Sequence, residues 1–245
     1  MNKITLLIAN YNNGDYLFNN CLPSLFNQTS DRWTAIIGDD NSTDGSFFRW
    51  MLSHDMLPKE LMSKIDFIAG KENVGYTNVL IGLLNEIVGN EIVGILDADD
   101  ALTPTAIQKV MEYYDAHPEA EFVYTNFWYC DDKTGKRNLG YCRQIPPGRS
   151  ALECDCVSHF KTFKMSAYKR CGGYDSDPSM LYAEDKDIIM KMEEVTQLHF
   201  INEPLYLLRR GHANAVNSDK LKREIGKTSH EQAKRNAIER RRTQT

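Results

Sequence analysis

Hydrophobic and polar positions alternate in blocks along the first 130 residues of the chain. Short apolar runs, typical of buried strands, are separated by stretches in which apolar residues recur with a helical period. Strands are predicted at 3–9, 32–38, 64–69, 91–97 and 120–129, and helices at 14–28, 44–56, 76–88 and 103–116. Strands that alternate with helices in this way form a mostly parallel sheet with helices on both faces. The pattern predicts an α/β fold with a small antiparallel part.

Proline and glycine refine these elements. Pro23 should kink or restart the first helix, whereas Thr103 and Pro104 suit the N-cap and first position of the fourth. Residues 131–136, Asp-Asp-Lys-Thr-Gly-Lys, are typical of a hairpin turn, so the next strand pairing should be antiparallel. Glycines, prolines and cysteines in irregular order from about 137 to 156 predict a mobile loop over the edge of the sheet.

Two acidic clusters follow predicted strands, at residues 39–40 and 97–100. Ligands of open parallel sheets bind outside the carboxyl ends of the strands, so carboxylates from two strands can converge there. Clustered carboxylates repel one another, and a hard divalent cation relieves that repulsion while bridging the oxygens of a diphosphate. The clusters therefore predict a nucleotide-sugar site.

The alternative for such residues is that they only cap the next helix. We favour capping for Asp44 with Ser42 and Thr43. Capping does not account for three carboxylates within 97–100, because one oxygen acceptor suffices for the one or two free amides that a cap addresses.

Composition limits the class of protein. A chain of 245 residues with 42% hydrophobic content can bury a substantial core, and we expect one domain with a tail. A net charge of −5 gives no general attraction to nucleic acid, and no apolar run approaches the 18 residues of a membrane span. The apolar run that begins at Ile4 is too short for a signal peptide, so a cytoplasmic protein is expected.

The six cysteines are expected to be free thiols, given the size of the chain and its apparent lack of an export signal. Cys154, Cys156 and His159 resemble three zinc ligands. No second Cys-x-x-Cys or His pair completes a set of four, so buried or loop thiols are favoured and a metal role stays open.

Several motifs occur in a characteristic order. They are Ile8–Asn12, Asp39–Asp44, Glu72–Gly75, Asp97–Asp100, Gly172–Asp175, Ala183–Asp187 and His212. In this order the chain resembles family 2 glycosyltransferases of the GT-A fold, inverting enzymes that use nucleotide sugars to build polysaccharides. The resemblance covers residues 3 to about 213. It implies a GT-A domain at 1–213, with a nucleotide-binding half at about 1–100 and an acceptor-side half at about 101–213, followed by a tail at 214–245.

The resemblance implies a role for individual positions. Asp39 would contact uracil, Ala9 and Tyr11 would border the base, Asp97 would lie near the ribose, and Asn73 would belong to the same nucleotide site. Asp99 would be the direct ligand of Mn²⁺ or Mg²⁺, His212 would approach the metal or the diphosphate, and Asp185 would be the catalytic base. Weaker expectations of donor or acceptor contact fall on Asp100, His159, Glu184 and Arg209. The chain departs from the usual pattern after Gly75, where Tyr76-Thr77-Asn78 replaces a segment with arginine.

Other interpretations of these residues stay open. Glu184 and Asp185 can be first-turn acids favoured by the helix macrodipole, with Asp187 on a solvated face. His212 can be a surface histidine, and Arg209 with Arg210 can bind a diphosphate or pair with acids. Gly172 and Gly173 are favoured as a helix C-cap and turn. In the predicted strand at 158–163, alternation places His159, Lys161 and Phe163 on one face.

We therefore expect an inverting transferase that moves a sugar from a UDP-sugar to a hydroxyl of a glycan or lipid-linked acceptor. The alternatives are a catalytically silent nucleotide-sugar-binding domain and a sugar-phosphate nucleotidyltransferase. Residues 218–245 carry nine Lys or Arg and four Asp or Glu. A basic amphipathic helix there can bind anionic lipid peripherally, on the inner membrane face, whereas the alternative is a solvated or frayed helix.

Overall fold

The computed structural model describes residues 2–56, 58–89, 91–210 and 220–243. Its strands are β1 (Ile4–Asn10), β2 (Trp33–Asp39), β3 (Ile65–Ala69), β4 (Ile92–Ile95), β5 (Ala101–Leu102), β6 (Phe122–Asp131), β7 (Arg137–Leu139), β8 (Lys161–Lys164) and β9 (Leu198–Arg210). Its α-helices are α1 (Gly14–Tyr16), α2 (Leu22–Phe26), α3 (Ser46–Met56), α4 (Lys59–Met62), α5 (Tyr76–Asn85), α6 (Ala106–Ala116), α7 (Met165–Arg170), α8 (Glu184–Glu193) and α9 (Lys220–Thr243). A π-helical turn spans Leu17–Cys21, and a 3₁₀ turn spans Pro178–Met180.

One mixed sheet organises the fold, in the strand order β3-β2-β1-β4-β8-β6-β9-β5, with β7 paired to β6. The β1–β4 half is parallel throughout, because each strand is followed by a helical crossover. β8 then inserts antiparallel between β4 and β6, and β9 runs parallel to β6. The predicted α/β class, mostly parallel with a smaller antiparallel part, is confirmed.

The five strands predicted from the hydrophobic pattern are all present, with bounds within two residues at every end. β4 ends at Ile95, and the Leu96 N–H still donates to the Leu7 carbonyl of β1 (3.1 Å), so the second acidic cluster begins just beyond the sheet at Asp97. The helix around Pro23 restarts as predicted: the π-helical turn ends at Cys21 and Pro23 lies in the first turn of α2, where its missing N–H costs nothing.

Three local predictions need correction. Thr103 is not a helix cap, and Pro104 is not the first residue of a helix. The buried Thr103 Oγ1 has no hydrogen-bond partner among the described residues, the Thr103 N–H donates to the Leu205 carbonyl (2.9 Å) and extends the β5–β9 pairing, and α6 begins only at Ala106. The hairpin at 131–136 is confirmed, but the segment after it begins with strand β7 rather than loop. β8 begins at Lys161, so the strand alternation predicted from His159 onward is wrong for that histidine.

The main core lies around the sheet, and a second apolar cluster joins α9 to α8. Met180, Ala183 and Met190 pack there against Ala233 and Ala237 of α9. The interpretation of the tail as a merely solvated or frayed helix is therefore wrong for residues 220–243, since one face of α9 is buried.

The same contact corrects the predicted position of Asp187, which is buried rather than solvated. Its carboxylate pairs with Lys191 (2.7 Å) and Arg240 (3.5 Å). All six cysteines are free thiols, as expected, and the described residues contain no group of three or more metal-ligating side chains. No described helix is long and apolar enough to cross a membrane.

Candidate active site

Residues after β1 and β2 form one side of the site. Asp39 and Asn10 are register partners at the ends of the two strands, and Asn10 Nδ2 donates to Asp39 Oδ1 (2.6 Å). The Ser42 N–H donates to the other Asp39 oxygen (3.0 Å). Ala9 is half-buried one residue earlier, and Tyr11 is exposed one residue later. The predicted base-binding residues Ala9, Tyr11 and Asp39 thus lie together at this edge.

Asp40 fixes the loop that leads into α5. Its buried carboxylate accepts hydrogen bonds from the Val74 N–H (2.7 Å) and the Gly75 N–H (2.9 Å). Gly75 has a φ of +88°, a conformation that glycine adopts without strain. Asn73 Nδ2 lies 3.4 Å from the Asp40 carbonyl, so this predicted nucleotide contact is placed beside the end of β2.

Asp44 caps a helix start, as the sequence pattern predicts. Its carboxylate accepts from the Ser46 N–H (3.0 Å) at the start of α3 and from the Gly14 N–H (2.8 Å) at the start of α1. Ser42 Oγ also accepts from the Asn12 N–H (2.9 Å). These bonds tie the loop after β1 to the loop after β2 and rigidify the edge of the sheet.

The second acidic cluster is held by two tyrosines. Tyr76 Oη donates to Asp97 Oδ1 (2.7 Å), and Tyr206 Oη donates to Asp100 Oδ2 (2.7 Å) while accepting from the Asp97 N–H (3.2 Å). Asp100 also accepts from the Arg209 N–H (2.7 Å) and is buried. Both of its oxygens are used inside the protein, so the predicted substrate contact of Asp100 is not supported; it positions the cluster.

Asp99 has the electrostatic character of a cation ligand. Burial and the neighbouring charge of Asp97 raise the pKa of Asp99 to about 7. A carboxylate that is disfavoured in this way is stabilised by a divalent cation, which can keep water and diphosphate oxygens as its other ligands. Asp97 and Asp99 therefore fit Mn²⁺ or Mg²⁺. His212, the other predicted ligand, lies outside the described residues.

Arg209 lies next to this cluster and is anchored at two points. Nη2 pairs with Asp132 (2.8 Å), and Nη1 donates to Asn20 Oδ1 (2.7 Å). Of the two interpretations for Arg209, pairing with an acid is confirmed in this structure. Its charge still lowers the pKa of Asp99, which places the guanidinium near the proposed cation position. Arg210 lies over the Tyr129 ring, 3.6 Å from its centroid.

The other side of the site is the first turn of α8. Lys161 of β8 is buried, and its Nζ lies 2.7 Å from Asp185 Oδ1. Burial acts to raise the pKa of Asp185, but the charge and hydrogen bond of Lys161, acting together with His159 and Lys186, outweigh it, so this pKa lies below its usual value. The Asp185 side chain keeps 40% of its surface exposed and so remains accessible to a substrate. Burial and the Asp185 charge raise the pKa of the adjacent Glu184 to about 7.

His159 lies between the two sides. Its ring stacks on Tyr206, with centroids 4.7 Å apart, and meets the edge of Phe127 at 5.8 Å. Burial, then the charge of Lys161, lower the pKa of His159 to about 4, while Asp97 and Asp185 act in the opposite direction. A neutral histidine therefore stands in the field of both acidic groups.

Sequence reasoning missed the basic and phenolic residues that organise these carboxylates. They are Lys161, Tyr76, Tyr174 and Tyr206. Tyr76 lies where the chain departs from the family pattern, and that departure was a signal that could have identified it. The Tyr174 hydroxyl is buried without a hydrogen-bond partner in the described part of the chain, and the charges of Asp185, Glu184 and Asp97 act on it. No sequence pattern pairs Lys161 with Asp185.

Comparisons with known proteins give a family match over most of the chain. Residues 5–172 match the family described as Glycosyl transferase family 2. The chain is 25% identical over 205 residues to the chondroitin synthase of Escherichia coli, a match of 83% of this chain and 28% of the relative. It is 24% identical over 225 residues to an uncharacterized protein of Sinorhizobium fredii, a match of 89% of this chain and 24% of the relative. The chain thus spans about a quarter of the length of these relatives.

Solved structures share the fold. The Staphylococcus aureus protein TarS, residues 1–349, in complex with UDP-GlcNAc, has a TM-score of 0.70 at 16% identity; 91% of this chain and 64% of that one are covered. The mannosyltransferase PcManGT from Pyrobaculum calidifontis, in complex with GDP-Man and Mn²⁺, has a TM-score of 0.66 at 18% identity; 93% and 62% are covered. The GT-A fold expected from the sequence is confirmed.

Proposed function

The chain belongs to glycosyl transferase family 2 and is a glycosyltransferase, and we propose that it moves a sugar from a UDP-sugar to an acceptor hydroxyl with inversion. The proposed acceptor is a glycan or a lipid-linked saccharide. The observation that carries this proposal is the pair of acidic groups on opposite sides of one site: Asp97 and Asp99 after β4, and Asp185 at the start of α8. The charge of Asp97 acts on Glu184 and His159, so the two sides share one electrostatic field.

The nucleotide side follows from the placement of β1, β2 and β4. We propose that uracil lies at the edge formed by Ala9, Tyr11 and Asp39, beside Asn73, and that the ribose lies toward Asp97. Asp99 and the undescribed His212 would hold Mn²⁺ or Mg²⁺. The cation would supply electrostatic stabilisation of the charge that develops on the departing diphosphate. The structural neighbour that binds GDP-Man with Mn²⁺ supports this assignment.

The acceptor side follows from Asp185. Breaking the bond to the anomeric carbon leaves positive, oxocarbenium-like charge on the sugar, and the acceptor hydroxyl must lose a proton as it attacks. A carboxylate that is ionised at neutral pH and 40% exposed can take that proton. Attack from the face opposite the diphosphate is a single displacement and inverts the anomeric configuration.

Release of UDP tests the proposal. The full chain is incubated with UDP-GlcNAc and a panel of other UDP-sugars, with Mn²⁺ or with chelator, and UDP is measured. We expect UDP release from at least one donor and much less in chelator. Metal-dependent UDP binding without release from any donor, even with simple glycosides added as acceptors, would instead indicate a silent nucleotide-sugar-binding domain. Neither binding nor release would defeat the proposal.

The outer face of α9 supports a second part of the proposal, a peripheral contact with anionic lipid. One face of the helix is buried against α8, and the opposite face carries six exposed basic residues and three exposed acids, Glu224, Glu231 and Glu239, of which Glu224 pairs with Lys227 and Glu231 with Lys234, so the face keeps an excess of positive charge. The basic residues are Lys220, Arg223, Lys227, Lys234, Arg235 and Arg242. Such a surface attracts anionic lipid within a Debye length and suits an enzyme with a lipid-linked acceptor.

A further inference from the structure

Lys161 is a buried lysine for which the proposed mechanism has no direct use. It lies in β8 between β4 and β6, only 2% exposed, and its strand neighbour in β6 is Tyr124. An ammonium group in such a position costs several kcal/mol unless it is paired. Its ion partner is Asp185 Oδ1 at 2.7 Å, which is itself a buried atom although the rest of that side chain is exposed.

Two adjacent carboxylates compete for this one cation. Glu184 and Asp185 both lie in the first turn of α8, where a helix N-terminus favours negative charge equally. Lys161 contacts Asp185, whereas Glu184 Oε2 is buried without a hydrogen-bond partner among the described residues. Lys186, the other nearby cation, is already paired with Asp155.

We infer that Lys161 is a positioning residue that selects Asp185, and not Glu184, as the ionised carboxylate of the site. This inference rests on the proposed function, since it explains how one of two neighbouring acids is kept ready as the base. Lys161 touches no substrate in this scheme. It acts by holding the Oδ1 side of Asp185, which leaves the exposed side of that carboxylate to meet the acceptor hydroxyl.

The pKa values of the two acids differ in the direction that this arrangement requires. Pairs of acids whose environments push their pKa values apart take different roles in catalysis. The pKa of Glu184 is raised to about 7, by burial first and by Asp185 second, whereas the pKa of Asp185 is lowered. The described ionisable groups that interact electrostatically with Asp185 come from several elements. They are Lys161 of β8, His159 before it, Lys186 and Glu184 of α8, Tyr76 of α5 and Tyr174 of the loop after α7.

Loss of the Lys161 charge should move the acidic limb of the pH profile of turnover, that is, the pH range in which turnover falls as the solution becomes more acidic. An opposite charge within about 4–6 Å lowers an aspartate pKa by about 1–3 units, so Lys161→Met should raise the pKa of Asp185 by about that amount. The ionised form is lost as pH falls through the raised pKa. The limb should therefore shift to higher pH by about 1–3 units.

The experiment measures the pH dependence of UDP release at saturating Mn²⁺ and donor for four proteins: wild type, Lys161→Met, Lys161→Arg and Glu184→Gln. Lys161→Arg keeps a cation and should leave the limb within about half a unit of wild type. Glu184→Gln should not shift it, whatever its effect on the rate. A folded Lys161→Met protein with the wild-type limb, or a shift as large in Glu184→Gln, would overturn the inference.

A direct titration needs neither a variant nor turnover. The carboxyl carbons of Asp185 and Glu184 are followed by ¹³C NMR of the wild-type protein between about pH 3 and pH 9. This interval includes the ordinary pKa of a carboxyl group, about 4. We expect Asp185 to titrate below Glu184. The reverse order would contradict the role of Lys161 even if the protein is an active transferase. Absence of UDP release with the expected titration order would instead count against the proposed function.

Discussion

Loss of Arg240 should destabilise the protein because this side chain joins α9 to the helix that carries Asp185. Its guanidinium makes two hydrogen bonds to Glu194, at 2.9 Å and 3.0 Å, and lies 3.5 Å from Asp187. The side chains of Asp187 and Glu194 are only 2% and 5% exposed, and Arg240 itself is 28% exposed. The change Arg240→Met keeps much of the aliphatic packing and removes the charge.

The size of the expected loss in stability depends on which ion-pair partners Asp187 and Glu194 keep in the variant. Removal of one partner from a buried ion pair costs about 3–5 kcal/mol. Here Asp187 keeps Lys191 at 2.7 Å and Glu194 keeps Arg241 at 3.7 Å, so we expect a smaller loss. We expect the free energy of unfolding to fall by about 2–3 kcal/mol, and the melting temperature of a chain of this size to fall by about 4–12 °C.

Urea unfolding followed by circular dichroism measures this loss. The matched control is Arg235→Met, an exposed arginine of the same helix, which should change the free energy of unfolding by no more than about 0.5 kcal/mol. A double variant with Glu194→Gln should lose less than the sum of the two single changes, because both remove the same contact. Equal stability of Arg240→Met and Arg235→Met would refute the docking of α9 on α8.

Three further predictions concern the metal, a buried phenol and the outer face of α9. Because the pKa of Asp99 is raised to about 7, its carboxyl must lose a proton before it can bind a cation. Calorimetry should therefore show Mn²⁺-dependent UDP binding that strengthens from about pH 6 to pH 8 and is largely lost in Asp99→Ala. A metal effect that is the same at all pH values would contradict this. Tyr174→Phe should leave the free energy of unfolding unchanged or raise it by up to about 1 kcal/mol, because the Tyr174 hydroxyl is buried without a hydrogen-bond partner among the described residues. Tyr114→Phe breaks a 3.1 Å hydrogen bond to Thr162 and should lower the free energy of unfolding by about 1 kcal/mol. Equal losses of stability in thermal melts would show that the Tyr174 hydroxyl has a structural partner. Sedimentation with anionic vesicles should show binding that weakens as salt rises and disappears when residues 218–245 are deleted; failure to bind at low salt would exclude the lipid contact.

The edge of the sheet that carries the two acidic clusters was predictable from the sequence because it depends on local order. Each strand of the β1–β4 half carries its own hydrophobic pattern, and parallel pairing brings the ends of these strands to one edge by topology alone. The residues at 39–40 and 97–100 therefore converge without any knowledge of long-range contacts. Asp44 was predictable as a cap for the same reason, since its partner Ser46 lies two residues further on, at the start of α3; its second partner, Gly14, is 30 residues away and had no local signal.

The acceptor side was predicted only in part, since it depends on contacts between distant segments. Asp185 was placed by its motif, but its partner Lys161 lies in a strand that inserts between β4 and β6. The local pattern at Thr103 predicts a helix cap because the pairing of β5 with β9 has no local signal. The buried face of α9 rests on small residues such as Ala233 and Ala237, which leave little hydrophobic pattern although they pack closely.

Turnover and UDP affinity of Asp185→Asn, measured together, test most directly whether this site catalyses transfer. If Asp185 only takes the acceptor proton, turnover should fall by about 10²-fold or more, while calorimetry finds UDP affinity in Mn²⁺ within about twofold of wild type. The control Asp66→Asn changes an exposed aspartate of β3 and should behave as wild type. An Asp185→Asn protein that keeps most of its turnover would contradict the assignment of the base and with it the proposed mechanism.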